Sequence, residues 1–147
     1  MLLLAHVVTG AVIGETIKNP ILVSLFAFVS HFILDAVPHW NYNVPKKFNW
    51  WDYFKVTPDL FAASTAYLAF LFSLPNSWLP ISLGVFFAAL PDFMTLAKYS
   101  RTINILLLRL YFFHDWVQNH SDRPDRVIRG LLYQLWLIIV VLYIFLI

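Results

Sequence analysis

The residues best suited to chemistry in this sequence are His31 and Asp35, four positions apart in the run Ser30-His31-Phe32-Ile33-Leu34-Asp35. Four positions make about one helical turn, so both side chains would project from one face of a helix. Imidazole nitrogen with carboxylate oxygen is a ligand set for zinc, and also for manganese or iron. Because an ionisable side chain in an apolar helix is costly, such residues are commonly functional or paired. We therefore predict that the pair binds a divalent metal, most simply zinc.

Other His and Asp residues are candidates to complete such a site. We predict that His6, His39 and Asp92 are further metal ligands. Asp59 is expected to bridge two ions or to act as a general base, and His114 to be a further ligand or the acid for a leaving group. This set exceeds what one tetrahedral zinc needs, so one or two ions are expected.

A structural interpretation competes with the metal at each position. A single His or Asp in an apolar helix often serves as a hydrogen-bonding partner within the bundle. Asp59 and Asp92 each follow a proline, so helix capping is an alternative for both. The four-residue spacing of His31 and Asp35 favours the metal there.

Composition indicates the environment of these residues. The chain has 147 residues, of which 61% are hydrophobic and 12% charged, against about 45–50% and 25% in soluble domains. A chain of this length predicts one domain, with lipid as the solvent for most of its surface. The net charge of +2 does not indicate nucleic-acid binding, and the absence of cysteine excludes thiolate ligands.

Hydropathy predicts an all-α integral membrane protein with about five transmembrane helices. A span needs about 20 largely apolar residues, and the candidates cover residues 2–17, 21–37, 56–74, 79–97 and 128–147. Residues 101–118 predict one amphipathic interfacial helix with His114 on its apolar face.

Basic residues predict the orientation of this five-span topology. Nine of the ten Lys and Arg residues fall on the side of the N-terminus, and only Lys18 falls on the other. By the positive-inside rule, the N-terminus of a multi-pass protein of the cell (inner) membrane would be cytoplasmic. Five candidate residues would then lie at one depth near the cytoplasmic face: His6, His31, Asp35, Asp59 and Asp92.

Three segments of the sequence resemble a known family, the bacterial small membrane-bound metal-dependent hydrolases. The segments are His6 with Thr9-Gly10, residues 30–40, and the step Leu90-Pro91-Asp92. The resemblance covers mainly residues 1–40 and 88–93. It implies a helical membrane protein with a His and Asp site similar to that of zinc phospholipases C.

Together these features predict a membrane-embedded hydrolase for a phosphate ester or phospholipid-type substrate at the cytoplasmic leaflet. Membrane lipid is the expected partner, and Arg109 and Arg126 are expected to bind an anionic substrate. One alternative is a non-enzymatic metal-binding membrane protein, such as a transport, sensor or accessory subunit. Another is a structural bundle whose polar network holds no metal.

Overall fold

The computed structural model describes residues 1–40, 50–97, 105–121 and 127–147, and these ranges contain α-helices but no β-strand. A short 3-10 turn, Pro75–Ser77, precedes the fourth helix. The six helices are α1 (Leu3–Ile17), α2 (Pro20–Asp35), α3 (Trp50–Ser73), α4 (Trp78–Ala97), α5 (Ile105–Ser121) and α6 (Val127–Leu146).

Helix α1 lies at the centre of the bundle and contacts α2, α3, α4 and α6. Its N-terminus, with the end of α2, marks what we call the proximal end of the bundle. Asp59 of α3 and Gln134 of α6 both reach this end, and Phe70 of α3 contacts Phe145 of α6 toward the other. Helices α1, α3 and α6 therefore run in one direction, and α2 and α4 return in the other.

Local chemistry explains the tight connection from α1 to α2. Lys18 ends α1 in the left-handed conformation, with a φ of 59°. The Asn19 side chain then accepts hydrogen bonds from the backbone N–H groups of Ile21 at 3.1 Å and Leu22 at 3.2 Å. Pro20 occupies the first turn, where its missing N–H has no consequence. This connection returns α2 along α1 and brings Asp35 back to the proximal end.

The prediction of about five transmembrane helices is wrong. Among the residues that the structure describes, two helices are long and apolar enough to cross a membrane, α3 with 24 residues and α6 with 20. Helices α1 and α2 have only 15 and 16 residues, which gives each a length of roughly 23 Å against a hydrocarbon core of about 30 Å. The predicted span 79–97 also contains Asp92, which belongs to a polar cluster described below.

The predicted interfacial helix 101–118 also needs correction. The observed α5 packs on α4 and α2, with His114 and Val117 buried and the apolar Phe113 exposed. His114 contacts His31 and Asp35 inside the bundle. These contacts determine which face of α5 is buried. Residues 101–104 of the predicted helix lie outside the described residues.

Helices α1 and α4 cross at their glycines. Gly10 and Gly14 of α1, four residues apart, face Gly84 and Ile81 of α4. A Cβ on Gly14 would lie 2.7 Å from Ile81 Cα, and a Cβ on Gly84 would collide with the backbone oxygen of Gly10. These glycines allow the two backbones to approach closely, as small residues four apart do in membrane proteins.

We expect Gly84→Ala to destabilise the protein, although alanine is the better helix former. Its Cβ meets backbone rather than a movable side chain, so α1 and α4 must separate. Overpacking of this kind costs about 1–3 kcal/mol of unfolding free energy. Thermal unfolding in detergent would measure the effect.

The control is Ala69→Val at an exposed position of α3, where added volume should change stability by less than about 0.5 kcal/mol. If Gly84→Ala were as stable as this control, the close crossing of α1 and α4 would be refuted.

Candidate metal centre

Four side chains from three helices form a group that could hold a metal ion. Helix α2 supplies His31 and Asp35, α4 supplies Asp92, and α5 supplies His114. Each offers one ligand atom, and these atoms all lie within 4.8 Å of one another. We call these four residues the quartet.

Distances within the quartet separate a tight trio from a more open fourth member. The Nε2 atoms of His31 and His114 are 3.0 Å apart, and each lies 3.1 Å from Asp35 Oδ2. Asp92 Oδ1 is farther from the two imidazoles, at 3.8 Å and 3.6 Å. The Asp92 side chain is 30% exposed, whereas the other three are fully or almost fully buried. The quartet therefore opens to its surroundings at Asp92.

A backbone carbonyl fixes the proton on His31. The Nδ1 atom lies 2.6 Å from the oxygen of Ala88 on α4, and a carbonyl can only accept. Nδ1 is therefore the donor, and in the neutral ring Nε2 presents its lone pair to the quartet. Ligating histidines commonly have such a partner, which sets the orientation of the ring.

This arrangement places the unprotonated Nε2 of His31 against other polar atoms. It faces a carboxylate oxygen at 3.1 Å and the Nε2 of His114 at 3.0 Å. A neutral His114 with its proton on Nε2 could donate to Asp35 Oδ2 at 3.1 Å, but no proton then lies between His31 Nε2 and the carboxylate. Buried acceptors without a donor or cation between them are unfavourable, so the group could hold a metal ion.

The other oxygen of Asp35 has its own partners. Oδ1 lies 2.8 Å from the Met1 amino nitrogen and 3.3 Å from His6 Nε2. Burial alone would raise the pKa of the Asp35 carboxyl, but the positive Met1 amino group, followed by a hydrogen bond from His114, holds it far below its usual range. Asp35 is therefore an ionised carboxylate with a different set of neighbours at each oxygen.

His6 of α1 lies beside the quartet. Its ring stacks on that of His31, with centroids 4.0 Å apart and planes 18° from parallel. Burial, together with the neighbouring His31, lowers the pKa of His6 to about 4. The ring is therefore neutral at physiological pH, the form in which imidazole binds metals.

Asp59, predicted to bridge metals or act as a base, contacts the N-terminus of α1. Its Oδ2 accepts the N–H of Leu3 at 2.7 Å, and its Oδ1 accepts that of Leu4 at 3.0 Å. These are N–H groups that a helix leaves without partners at its start, where a negative charge is also favoured by the helix dipole. Asp59 caps a helix, as the structural interpretation proposed, although the helix is α1 rather than its own.

Gln134 of α6 was missed by the sequence reasoning. It is buried and bonds three backbone groups: its Oε1 accepts the N–H of Leu2 at 2.8 Å, and its Nε2 donates to Trp40 at 2.8 Å and Gly130 at 3.2 Å. An amide within an otherwise apolar span was the available signal, because such groups usually bond across helices.

The remaining predicted residues are not in the quartet. His39 is buried, and its Nδ1 donates to the carbonyl of Val37 at 2.8 Å. The adjacent Trp40 packs against Gly130 of α6. Arg109 is exposed on α5, five positions before His114. Arg126 lies outside the described residues.

Comparison with known proteins identifies no family for this chain. No protein-family model, no curated protein and no solved structure matches it.

We expect Asp35→Asn to weaken metal binding strongly without disrupting the helices. Asparagine keeps the shape but removes the charge that faces both imidazoles. Changes in groups that only support ligands lower metal affinity by about 10–100-fold, so loss of a ligand should cost at least as much. His31→Ala should have the same effect, and the double variant should be no worse than either single one. Bound zinc per chain and affinity by titration would measure this.

His120→Ala is the matched control, because it removes an exposed histidine at the end of α5. It should bind metal as the native protein does. Undiminished metal affinity in Asp35→Asn would show that the carboxylate is not a ligand and would leave the polar-network interpretation.

Proposed function

We propose that this protein is a membrane-bound, metal-dependent hydrolase of phosphate esters. The observation that carries the proposal is the convergence of four side chains that each offer a metal-ligand atom, with His31 held by Ala88 so that its Nε2 faces the other three. Imidazole nitrogen and carboxylate oxygen are suitable ligands for zinc, and also for manganese or iron.

The uneven exposure of the quartet favours catalysis over purely structural binding. Catalytic zinc sites have three protein ligands and one open position, whereas structural sites are closed. His31, Asp35 and His114 form the compact trio, and we assign them as ligands. Asp92, at 3.6 Å or more from both imidazoles and partly exposed, lies where water and substrate would approach.

Each group then has a defined part in hydrolysis. A bound divalent ion would lower the pKa of water toward ~7 and polarise a phosphoryl oxygen. Asp92 accepts a proton from the attacking water as its oxygen bonds to phosphorus. The ester P–O bond breaks, and the leaving alkoxide takes the proton that Asp92 has accepted, which gives the neutral alcohol and restores the Asp92 carboxylate.

The exposed residues of the helices that carry the site suit an amphiphilic, anionic substrate. Phe93 is exposed beside Asp92, and Phe112 and Trp116 are exposed elsewhere on the helix that carries His114. Arg109, exposed on the same helix, would provide positive charge for a phosphate group. We therefore propose a phospholipid-type substrate.

The exposed apolar surface supports a membrane location. Large apolar side chains are exposed on every described helix except α1, a surface suited to lipid rather than to water. Two exposed basic residues, Lys55 and Arg129, lie toward the proximal end, and one, Lys18, lies toward the other. Both lysines pair with a carboxylate at 3.1 Å. By the positive-inside rule we place the proximal end at the cytoplasmic face.

Single introduced thiols test this orientation without background, because the chain has no cysteine. Asn76→Cys, between α3 and α4, should react with an impermeant maleimide in intact cells. Lys55→Cys, near the start of α3, should react only after permeabilisation. The reverse labelling pattern would put the metal centre at the outer face.

Asp92→Asn tests the proposed chemistry. We expect hydrolysis to fall about 10²–10⁴-fold, the usual contribution of a general base, while bound zinc per chain stays at the native value. The assay is phosphate or alcohol release from a phosphomonoester, a phosphodiester and a short-chain phosphatidic acid, in detergent with added zinc or manganese. His120→Ala should retain full activity.

Two outcomes would count against the enzyme. If metal-loaded native protein hydrolysed none of these esters, the alternative would be a non-enzymatic metal-binding membrane protein, which the near-complete burial of the trio would suit. If Asp92→Asn lost its metal together with its activity, Asp92 would be a ligand rather than the base.

A further inference from the structure

His6 has a buried imidazole that the proposed reaction does not use. The side chain is fully buried, and neither ring nitrogen makes a hydrogen bond with any residue that the structure describes. Its Nε2 lies 3.3 Å from Asp35 Oδ1 without meeting hydrogen-bond geometry. Buried polar atoms nearly always have partners, so an orphaned pair indicates an ion or water that completes the site.

The stacking of His6 on His31 indicates where a partner of the His6 ring would lie. With ring centroids 4.0 Å apart and nearly parallel planes, the two rings present their Nε2 atoms to the same carboxylate. His31 Nε2 faces Asp35 Oδ2 at 3.1 Å, and His6 Nε2 faces Oδ1 at 3.3 Å. The two imidazoles therefore face different oxygens of the same carboxylate.

We propose that Asp35 bridges two divalent cations, with the second ion bound between its Oδ1 and His6 Nε2. This inference rests on the proposed function, because the quartet supplies the first ion. In two-metal sites the ions lie about 3.5–4 Å apart, and the stacked rings are 4.0 Å apart. Two parallel imidazoles at that spacing are suited to bind one ion each.

The charge around Oδ1 agrees with a cation at this place. The Met1 amino nitrogen, a positive group, lies 2.8 Å from Oδ1, so the proposed ion would replace one positive group with another. For a phosphate ester, a second ion beside the first places positive charge on both the attacking and the leaving oxygen.

Manganese alone is the probe, because its electron paramagnetic resonance spectrum reports both number and proximity. We expect the native protein to bind two equivalents with a spin-coupled spectrum. His6→Phe keeps a ring that can stack on His31 but removes both nitrogens, so it should bind one equivalent and give the six-line spectrum of an isolated ion. His120→Ala should match the native protein.

The outcomes separate this inference from the proposed function. One equivalent in the native protein would overturn the second ion and leave the quartet intact, whereas a protein that bound neither manganese nor zinc would refute both. Two uncoupled ions, or a coupled pair retained in His6→Phe, would place the second ion elsewhere and overturn the inference. If His6→Phe did not fold, His6→Ala and the native spectrum would decide between these outcomes.

Discussion

The fully buried carboxylate of Asp35 is the constraint on which the rest of the structure depends. An ionised carboxylate removed from water must be compensated by cations or donors. Here the partners come from separate helices: His6 from α1, His31 from α2 and His114 from α5. Three helices thus meet around one charge, whose Oδ1 also contacts the Met1 amino group. A metal at Oδ2, as proposed, would add a positive charge that neutral imidazoles lack.

Helix α1 connects the region around Asp35 to the two candidate membrane spans, α3 and α6. Its first N–H groups are accepted by Asp59 of α3 and by Gln134 of α6, so its N-terminus is held from two sides. On its other face, the glycine crossing with α4 fixes how close Ala88 comes to His31. Asp59 and Gln134 contact backbone near the centre, and through it they position His6 and the amino group that face Oδ1.

The sequence was informative where chemistry is local and uninformative where packing decides. Spacing alone placed His31 and Asp35 on one helical face, because four residues make one turn whatever surrounds them. The number of spans could not be read from hydropathy, because α1 and α2 are apolar enough for lipid but too short to cross it. The partner of Asp59 could not be predicted either, because a carboxylate that caps a helix distant in sequence leaves no local sequence pattern. The same holds for Ala88, whose carbonyl selects the tautomer of His31.

The position of the centre along the candidate spans follows from these contacts. Asp59 lies nine residues after Trp50, where α3 begins, which corresponds to roughly 13 Å along the helix axis. Exposed Trp50, Trp51 and Tyr53 lie on the first turn of α3, as the aromatic residues at a membrane interface do. If the protein lies in the membrane as proposed, the centre would then be below the interface, at the depth of the upper acyl chains. Unpaired charges are more costly at that depth, so a phosphate group at Asp92 would gain more from a bound cation there than it would in water.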